Sequence, residues 1–262
     1  MKAYEITQRL ASWAEKGVFE RTCDTFKCGD ENREVKKVAV CMFGTLGVIK
    51  TAWEWGAELL IVHEPLYYTH MDVHTDEKVE CEKRRRIEET GIVIWRYHDY
   101  PHSAPTDLIA DGVVKAMGFA GETEYTDVFD LRRIHLDSPM TLGQIASQIE
   151  RNLGISHVRV CGDMNQSFER LSCMFGTPGG VYEELRSDDC QVMLTGEGSE
   201  IGLGEYCRDA ADMGFKKAVI LMGHIGSERD GMKLVADMIN ARIPGVEAKY
   251  FECGEVCRYT DR

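Results

Sequence analysis

The 262-residue sequence lacks the features that mark membrane, secreted and nucleic-acid-binding proteins. Its longest apolar runs, Val38–Phe43 and Ala218–Met222, are far shorter than the roughly 20 residues that a membrane span requires. Only 31 Lys and Arg accompany 44 Asp and Glu, and the net charge of −13 should repel nucleic acid and anionic membranes. The N-terminal segment MKAYE lacks the basic start and apolar run of a signal peptide. We therefore expect a cytoplasmic protein that binds neither nucleic acid nor membrane.

Several motifs that carry chemistry are also missing. None of the ten cysteines forms a CxxC pair, so a zinc ribbon or a thioredoxin-like dithiol has no support. We expect most of them to be buried free thiols, with Cys253 and Cys257 as the exception. No Gly-x-Ser-x-Gly elbow supports serine hydrolase chemistry. The glycine-rich segment FGTPGG lacks the lysine of a phosphate-binding loop and is more typical of a tight turn.

Short apolar runs alternate with longer amphipathic segments along most of the chain, which predicts an α/β fold with mixed, largely parallel sheets. The predicted strands are Lys37–Met42, Leu59–Val62, Ile92–Tyr97, Val158–Cys161, Leu171–Phe175, Gln191–Leu194 and Lys217–Leu221. The predicted helices are Leu46–Trp55, Asp76–Thr90, Thr106–Met117, Thr141–Leu153, Ile201–Met213 and Arg229–Ala241. The acidic segment Gly118–Ser138 is the least regular, so we place a boundary there, between domains 1–125 and 126–262.

Three predicted strands are followed by histidine, each with another metal-ligand residue within four positions. The six donors are His63 and Glu64, His98 and His102, and His224 and Glu228. Because ligands of open α/β sheets bind outside the carboxyl ends of the strands, we expect these side chains to share one site. One such histidine is most simply a strand-end residue bonded to backbone, whereas four of the eight histidines at these places favour metal binding.

Imidazole and carboxylate are ligands that zinc, manganese, iron and nickel accept. Six donors exceed the needs of one tetrahedral ion and could hold two divalent ions, about 3.5–4 Å apart, that activate a shared water molecule.

The same segments resemble the Nif-three-like family, whose members are often labelled GTP cyclohydrolase I type 2-like. AELLIVHEPLYY is similar to the family segment that usually reads LIISHHPL, and GHIGSERDGM to its C-terminal histidine–glutamate motif. LTGEGSE and MFGTPGG also match family segments in order. The resemblance implies two similar α/β domains, two divalent metal ions in the cleft between them, and a homohexameric toroid.

By this resemblance, His63, His224 and Glu228 occupy metal-ligand positions, and His98 matches a histidine that precedes an aspartate ligand by four residues. Two positions depart from the family pattern, because Glu64 replaces a histidine and His102 replaces the aspartate. We interpret this as a compensating exchange in which residues 64 and 102 serve one ion. The alternative is that one metal site has been lost.

Several weaker signals accompany the six donors. Glu197 follows a predicted strand and is our candidate general base. His70 and His74 could form an accessory metal site or a lid, although a solvated loop is favoured. Arg96 and Arg229 could meet a phosphate or carboxylate of a substrate, although structural pairing is favoured.

Three functions remain open on the sequence alone. The first is a metal-dependent hydrolase acting on a small-molecule phosphoester, amide or heterocyclic C–N bond. The second is a metal-binding or partner-binding toroid without catalysis of its own. The third is a redox protein that uses Cys253 and Cys257.

Overall fold

A computed structural model describes residues 1–14, 21–104, 106–126, 128, 131–258 and 260. The described strands are β1 (Phe26–Cys28), β2 (Lys37–Cys41), β3 (Leu59–Val62), β4 (Val93–Arg96), β5 (Gly121–Tyr125), β6 (Arg132–Thr141), β7 (Arg159–Cys161), β8 (Ser167–Met174), β9 (Val192–Thr195), β10 (Ala218–Leu221) and β11 (Glu247–Tyr250). The described helices are α1 (Ala3–Ala11), α2 (Leu46–Trp55), α3 (Lys78–Thr90), α4 (Asp99–His102), α5 (Leu108–Met117), α6 (Leu142–Leu153), α7 (Val181–Arg186), α8 (Glu205–Asp212) and α9 (His224–Arg242). A π-helical turn, Glu200–Gly204, precedes α8. None of the described helices is long and apolar enough to cross a bilayer.

The chain forms two compact units. The first contains Met1–Ile109 and Gly231–Arg262, and the second contains Ala110–Asp230. The C-terminal segment belongs to the first unit because β11 pairs in parallel with β2, with Ala248 opposite Val38. The sequence instead predicted a single boundary between residues 125 and 126, since nothing local marks the return of β11.

The first unit contains a five-stranded sheet in the order β1-β4-β3-β2-β11. Its central strands β2, β3 and β4 are parallel, and β1 runs antiparallel to β4 at one edge. The continuous apolar run Leu59–Val62 is fully buried, as expected for a parallel strand covered on both faces. On one face, Val48, Ile49 and Ala52 of α2 pack into the core.

The second unit contains a six-stranded sheet in the order β5-β6-β8-β9-β10-β7. Strands β8, β9 and β10 are parallel, whereas β5, β6 and β7 make antiparallel pairs. Helix α6 covers the core, and its N-terminus carries the predicted capping box, in which Thr141 and Gln144 bond to each other's backbone amides.

The predicted mixed α/β fold is confirmed, and each of the seven predicted strands overlaps an observed one. The segment Gly118–Ser138 is more regular than predicted, because it contains β5 and much of β6. Strand β5 is mostly exposed, so its side chains do not alternate between apolar and polar, which is the pattern that identifies a half-buried strand.

Candidate metal centre

Strands β3 and β4 place the first group of candidate ligands. The two strands are parallel neighbours, with Leu59 opposite Val93, so their carboxyl ends meet at the same edge of the sheet. His63 follows β3 directly, His98 precedes the single turn of α4 after β4, and His102 is the last residue of that turn. The fold therefore brings these three histidines to one edge of the sheet.

A buried carboxylate fixes the segment that carries two of these histidines. Asp24 Oδ1 accepts the backbone N–H of His98 at 2.7 Å and that of Asp99 at 3.0 Å. Its Oδ2 accepts the N–H of Tyr100 at 2.9 Å. Asp24 thereby satisfies the free amides at the start of α4 from a distant part of the chain.

The three imidazole rings lie against one another. The ring centroids of His63 and His98 are 4.8 Å apart, and His102 lies 5.2 Å from each of the other two. One ring nitrogen of each histidine lies within 4.8 Å of the others, a spacing at which they could hold a metal ion. Three converging imidazoles are a ligand set that zinc accepts, with a fourth position left for water.

Hydrogen bonds orient the fully buried His63. Its Nδ1 lies 2.9 Å from the carbonyl oxygen of Tyr97, so Nδ1 carries the proton and donates it. Burial, followed by the nearby His98, holds the pKa of His63 well below its ordinary value. A neutral ring whose Nδ1 donates to a carbonyl presents its Nε2 lone pair to a cation.

Carboxylates orient the other two rings in the same way. Nδ1 of His98 lies 3.0 Å from Oδ1 of Asp99, and Nδ1 of His102 lies 2.8 Å from Oδ2 of Asp107. Carboxylate–histidine pairs of this kind fix the tautomer and raise the basicity of metal-binding imidazoles. Neither carboxylate was predicted as a partner of these rings, although Asp99 stands directly after His98 and Asp107 five positions after His102.

Arg96 holds the chain around Glu64. The arginine is fully buried, and its Nε donates to the carbonyl oxygen of His63 at 3.0 Å. Its Nη2 lies 3.7 Å from Oε2 of Glu64, and its Nη1 lies 3.6 Å from Oδ2 of Asp72. Arg96 thus has the structural pairing that the sequence favoured, and the group of three histidines does not include Glu64.

The second unit holds the other two predicted metal ligands, one turn apart at the start of α9. Nε2 of His224 lies 3.2 Å from Oε2 of Glu228, and Nδ1 of His224 lies 2.9 Å from Oε1 of Glu197. Tetrahedral ligation at about 2.05 Å would separate the two donors by about 3.4 Å, so the pair fits a single ion. The side chain of Glu197, the candidate general base, is about half exposed and contacts His224.

Two glycines allow the backbone to pack closely against Glu228 and its neighbour Ser227. A Cβ on Gly176, whose φ is +65°, would lie 2.2 Å from Oε1 of Glu228. A Cβ on Gly196 would lie 2.4 Å from Oγ of Ser227. The FGTPGG segment has a bend at Gly176 and a turn at Gly179 and Gly180, as predicted, and the bend allows the backbone to approach the buried Glu228 side chain.

Of the weaker candidates, Arg229 has a structural partner, since its guanidinium donates to the Leu153 carbonyl. Nδ1 of His74 lies 3.6 Å from Oε1 of Glu80, so His74 also has a structural partner. His70, in contrast, belongs to a further group of possible metal ligands, together with Cys23 and Asp99, that sequence analysis missed. No local signal marks this group, because its members are separated by tens of residues along the chain.

The first unit contains a cavity of about 770 Å³, and none of the candidate metal ligands lines it. Its walls include Phe43, Thr45, Pro65, Tyr68, Lys78, Val79, Lys83 and Arg86. Small-molecule sites have volumes of about 300–1,000 Å³ and combine apolar walls with a few polar groups. The cavity therefore has the size and lining of a small-molecule site.

Comparison with known proteins identifies the family of this chain. The profile of the Duf34/NIF3 (NGG1p interacting factor 3) family matches residues 1–254. The chain belongs to the Duf34/NIF3 family. This confirms the resemblance drawn from the histidine motifs.

Relatives of the Duf34/NIF3 protein cover most of its length. It is 24% identical over 221 residues to a "GTP cyclohydrolase 1 type 2 homolog" of Clostridium perfringens, covering 82% of each chain. It is 26% identical over 223 residues to a protein of the same name from Neisseria meningitidis serogroup B, covering 85% of this chain and 86% of the other. Among solved structures, the protein ybgI of unknown function has a TM-score of 0.81 at 17% identity, with 98% and 100% of the chains covered. The last likeness shows the shared fold.

Proposed function

We propose that this Duf34/NIF3 protein is a metal-dependent hydrolase that binds two divalent ions per chain. Candidate ions are zinc, manganese, iron and nickel, and candidate targets are a phosphoester, an amide or a nucleotide-ring C–N bond. The observation that carries the proposal is the convergence of three imidazoles whose Nδ1 atoms are all held by oxygen. When bound, a divalent ion lowers the pKa of its water ligand and supplies a nucleophile near neutral pH.

The residues of this chain take distinct roles in the proposal. His63, His98 and His102 bind one ion through Nε2, while oxygen partners hold their Nδ1 atoms. We propose Glu64 as a further ligand of the ion that His102 binds, and His224 and Glu228 as ligands of a metal ion in the second unit.

Glu197 has two roles in the proposal. Its carboxylate holds Nδ1 of His224 at 2.9 Å. Because the same side chain reaches solvent, it can also take a proton from water as a general base.

The names of the relatives bear on the substrate class only. The Clostridium and Neisseria proteins are named as homologues of GTP cyclohydrolase 1 type 2, which supports a nucleotide-ring C–N bond as the first class to test. The cavity beside Pro65 supports a small-molecule substrate.

Metal content and turnover test the proposal together. We expect about two metal ions per chain after purification without added metal, and hydrolysis of a member of a panel of nucleotides and phosphoesters with manganese or zinc. His102→Ala and His224→Ala should each lower metal content and abolish turnover. His135→Ala is the matched control, because this half-exposed histidine lies on β6 and pairs only loosely with Glu124 at 3.6 Å.

The alternative function is a metal-binding protein without catalysis. Bound metal with no turnover across the panel would favour it, and a chain without metal would contradict both candidates. The homohexamer implied by the family resemblance stays a prediction, which native mass measurement checks.

The third candidate, a redox protein, loses support. Burial raises the pKa of Cys253, which disfavours the reactive thiolate that a redox pair requires. Replacing both Cys253 and Cys257 should leave turnover unchanged.

A further inference from the structure

We propose that Cys23, His70 and Asp99 form a separate binding site for a thiophilic divalent cation such as zinc or cobalt, built entirely within the first unit. None of the three is among the six donors predicted from the sequence. The site requires no hydrolase activity of the protein.

The positions of the donor atoms fit one ion. One donor atom from each of the three side chains lies within 4.8 Å of the others. The thiol of Cys23 donates a hydrogen bond to Oδ1 of Asp99, and Sγ and Oδ1 are 3.4 Å apart. A tetrahedral zinc ion with bonds of about 2.3 Å to sulfur and about 2.1 Å to oxygen separates those ligands by about 3.6 Å. A cation that replaces the thiol proton would therefore change the distance between the two atoms only slightly.

Hydrogen bonds hold the Asp99 carboxylate in the orientation that this ion needs. Oδ2 accepts the hydroxyl of Thr22 at 2.7 Å and the backbone N–H of Cys23 at 3.1 Å. Oδ1 is the oxygen nearer to the thiol, and its other contact is Nδ1 of His98 at 3.0 Å. A carboxylate oxygen has two lone pairs, so Oδ1 can accept from His98 and bind a cation as well.

Nearby carboxylates favour a cation at this place, whereas burial raises the pKa of the Cys23 thiol and keeps it protonated until a cation binds. Cys23 is 1% exposed, whereas His70 is exposed, so the thiol forms the inner wall of the site and the imidazole its outer wall. Asp24 adds a further carboxylate, with Oδ1 3.6 Å from Sγ of Cys23. When the cation binds, the Cys23 thiol loses its proton to solvent, and the thiolate and Asp99 then balance the two positive charges.

Cobalt titration of the metal-free full-length protein tests the site directly, because Co²⁺ bound to a thiolate absorbs in the near ultraviolet. We expect a charge-transfer band in the native protein that Cys23→Ser abolishes. Cys28→Ser is the matched control, since Cys28 is a half-buried thiol of the same unit outside the group, and it should keep the band.

A second pair of variants guards against misfolding of the Cys23 variant. His70→Ala removes an exposed side chain and should weaken the cobalt affinity read from the band at least tenfold, whereas His74→Ala should leave it unchanged. His102→Ala should also leave the band in place, which separates this site from the proposed hydrolase centre. Absence of the band from the native protein, its survival in Cys23→Ser, or unchanged affinity in His70→Ala would each overturn the proposal.

Discussion

Replacement of Gly176 by alanine should displace Glu228 and weaken metal binding. The new Cβ would lie 2.2 Å from Oε1 and 3.0 Å from Cδ of Glu228, whereas ordinary contacts begin near 3.4 Å. Because Glu228 is almost fully buried against this turn, its carboxylate must move by about 1 Å or more to relieve the overlap.

The structure separates two effects of this substitution. The left-handed backbone of Gly176 (φ +65°) costs an alanine about 1–2 kcal/mol of folding free energy, whatever surrounds it. The shift of Glu228 acts on the metal instead, because metal ligands tolerate deviations of only about 0.2 Å. We expect the affinity of the His224–Glu228 pair for zinc to fall about 10- to 100-fold, the range found when the support of a ligand is removed.

Gly214→Ala supplies the control. Gly214 has a similar φ of +80°, and a Cβ there would meet no atom within 4 Å. Urea unfolding in EDTA should show a loss of about 1–2 kcal/mol in both variants, with some further loss in Gly176→Ala. Zinc competition titrations should show weakened binding in Gly176→Ala alone. Equal zinc affinity in the two variants would refute the assignment of Glu228 as a metal ligand.

Three further predictions follow from other contacts. Asp24→Ala should destabilise the metal-free protein by about 2–3 kcal/mol in urea unfolding, because three backbone amides lose their acceptor, and Asp30→Ala, on the surface, should change stability much less. Burial acts to raise the pKa of Glu184, but hydrogen bonds from Arg133 and Ser172 outweigh burial and lower the pKa. Glu184→Gln should therefore lower the free energy of unfolding at pH 7 by about 1 kcal/mol, and this loss should shrink as the pH falls below 4.5. A loss that stays constant with pH would contradict this prediction. Removal of metal with EDTA should lower the Tm and added zinc should restore it, since a ligand that binds only the folded state stabilises it by mass action; a Tm that does not respond to zinc would count against metal binding.

The central strands and the histidines after them could be predicted because their signals are local. Leu59–Val62 is a continuous apolar run that ends at His63, and Ala218–Leu221 is another that precedes His224. The parallel arrangement then brings the carboxyl ends of neighbouring strands together. The sequence thus contained these strands and the identity of the histidines that follow them.

What could not be predicted depends on contacts between distant parts of the chain. Nothing near Glu247–Tyr250 indicates that this strand pairs with Lys37–Cys41, more than 200 positions earlier. Likewise, Cys23 and Asp99 meet because β1 lies against β4, and nothing in the sequence of either strand indicates that pairing. The glycine-rich turn was predicted as a turn, but its role beside Glu228 appears only when both are folded together.

The contact between His102 and Asp107 bears on the exchange of residues at positions 64 and 102. His102 stands where the family usually has an aspartate, and in the exchange that we propose Glu64 supplies the negative charge. Nδ1 of His102 lies 2.8 Å from the buried carboxylate of Asp107. In our proposal the ring binds the ion, and Asp107 raises the basicity of the ring, as carboxylate partners of histidine do at zinc sites. If this is correct, His102→Asp should keep metal binding in the first unit, whereas Asp107→Asn should weaken it about 10- to 100-fold by removing the charge that supports the ring. Unchanged affinity in Asp107→Asn would show that the carboxylate contributes nothing to metal binding and would contradict the proposed support of the His102 ring by Asp107.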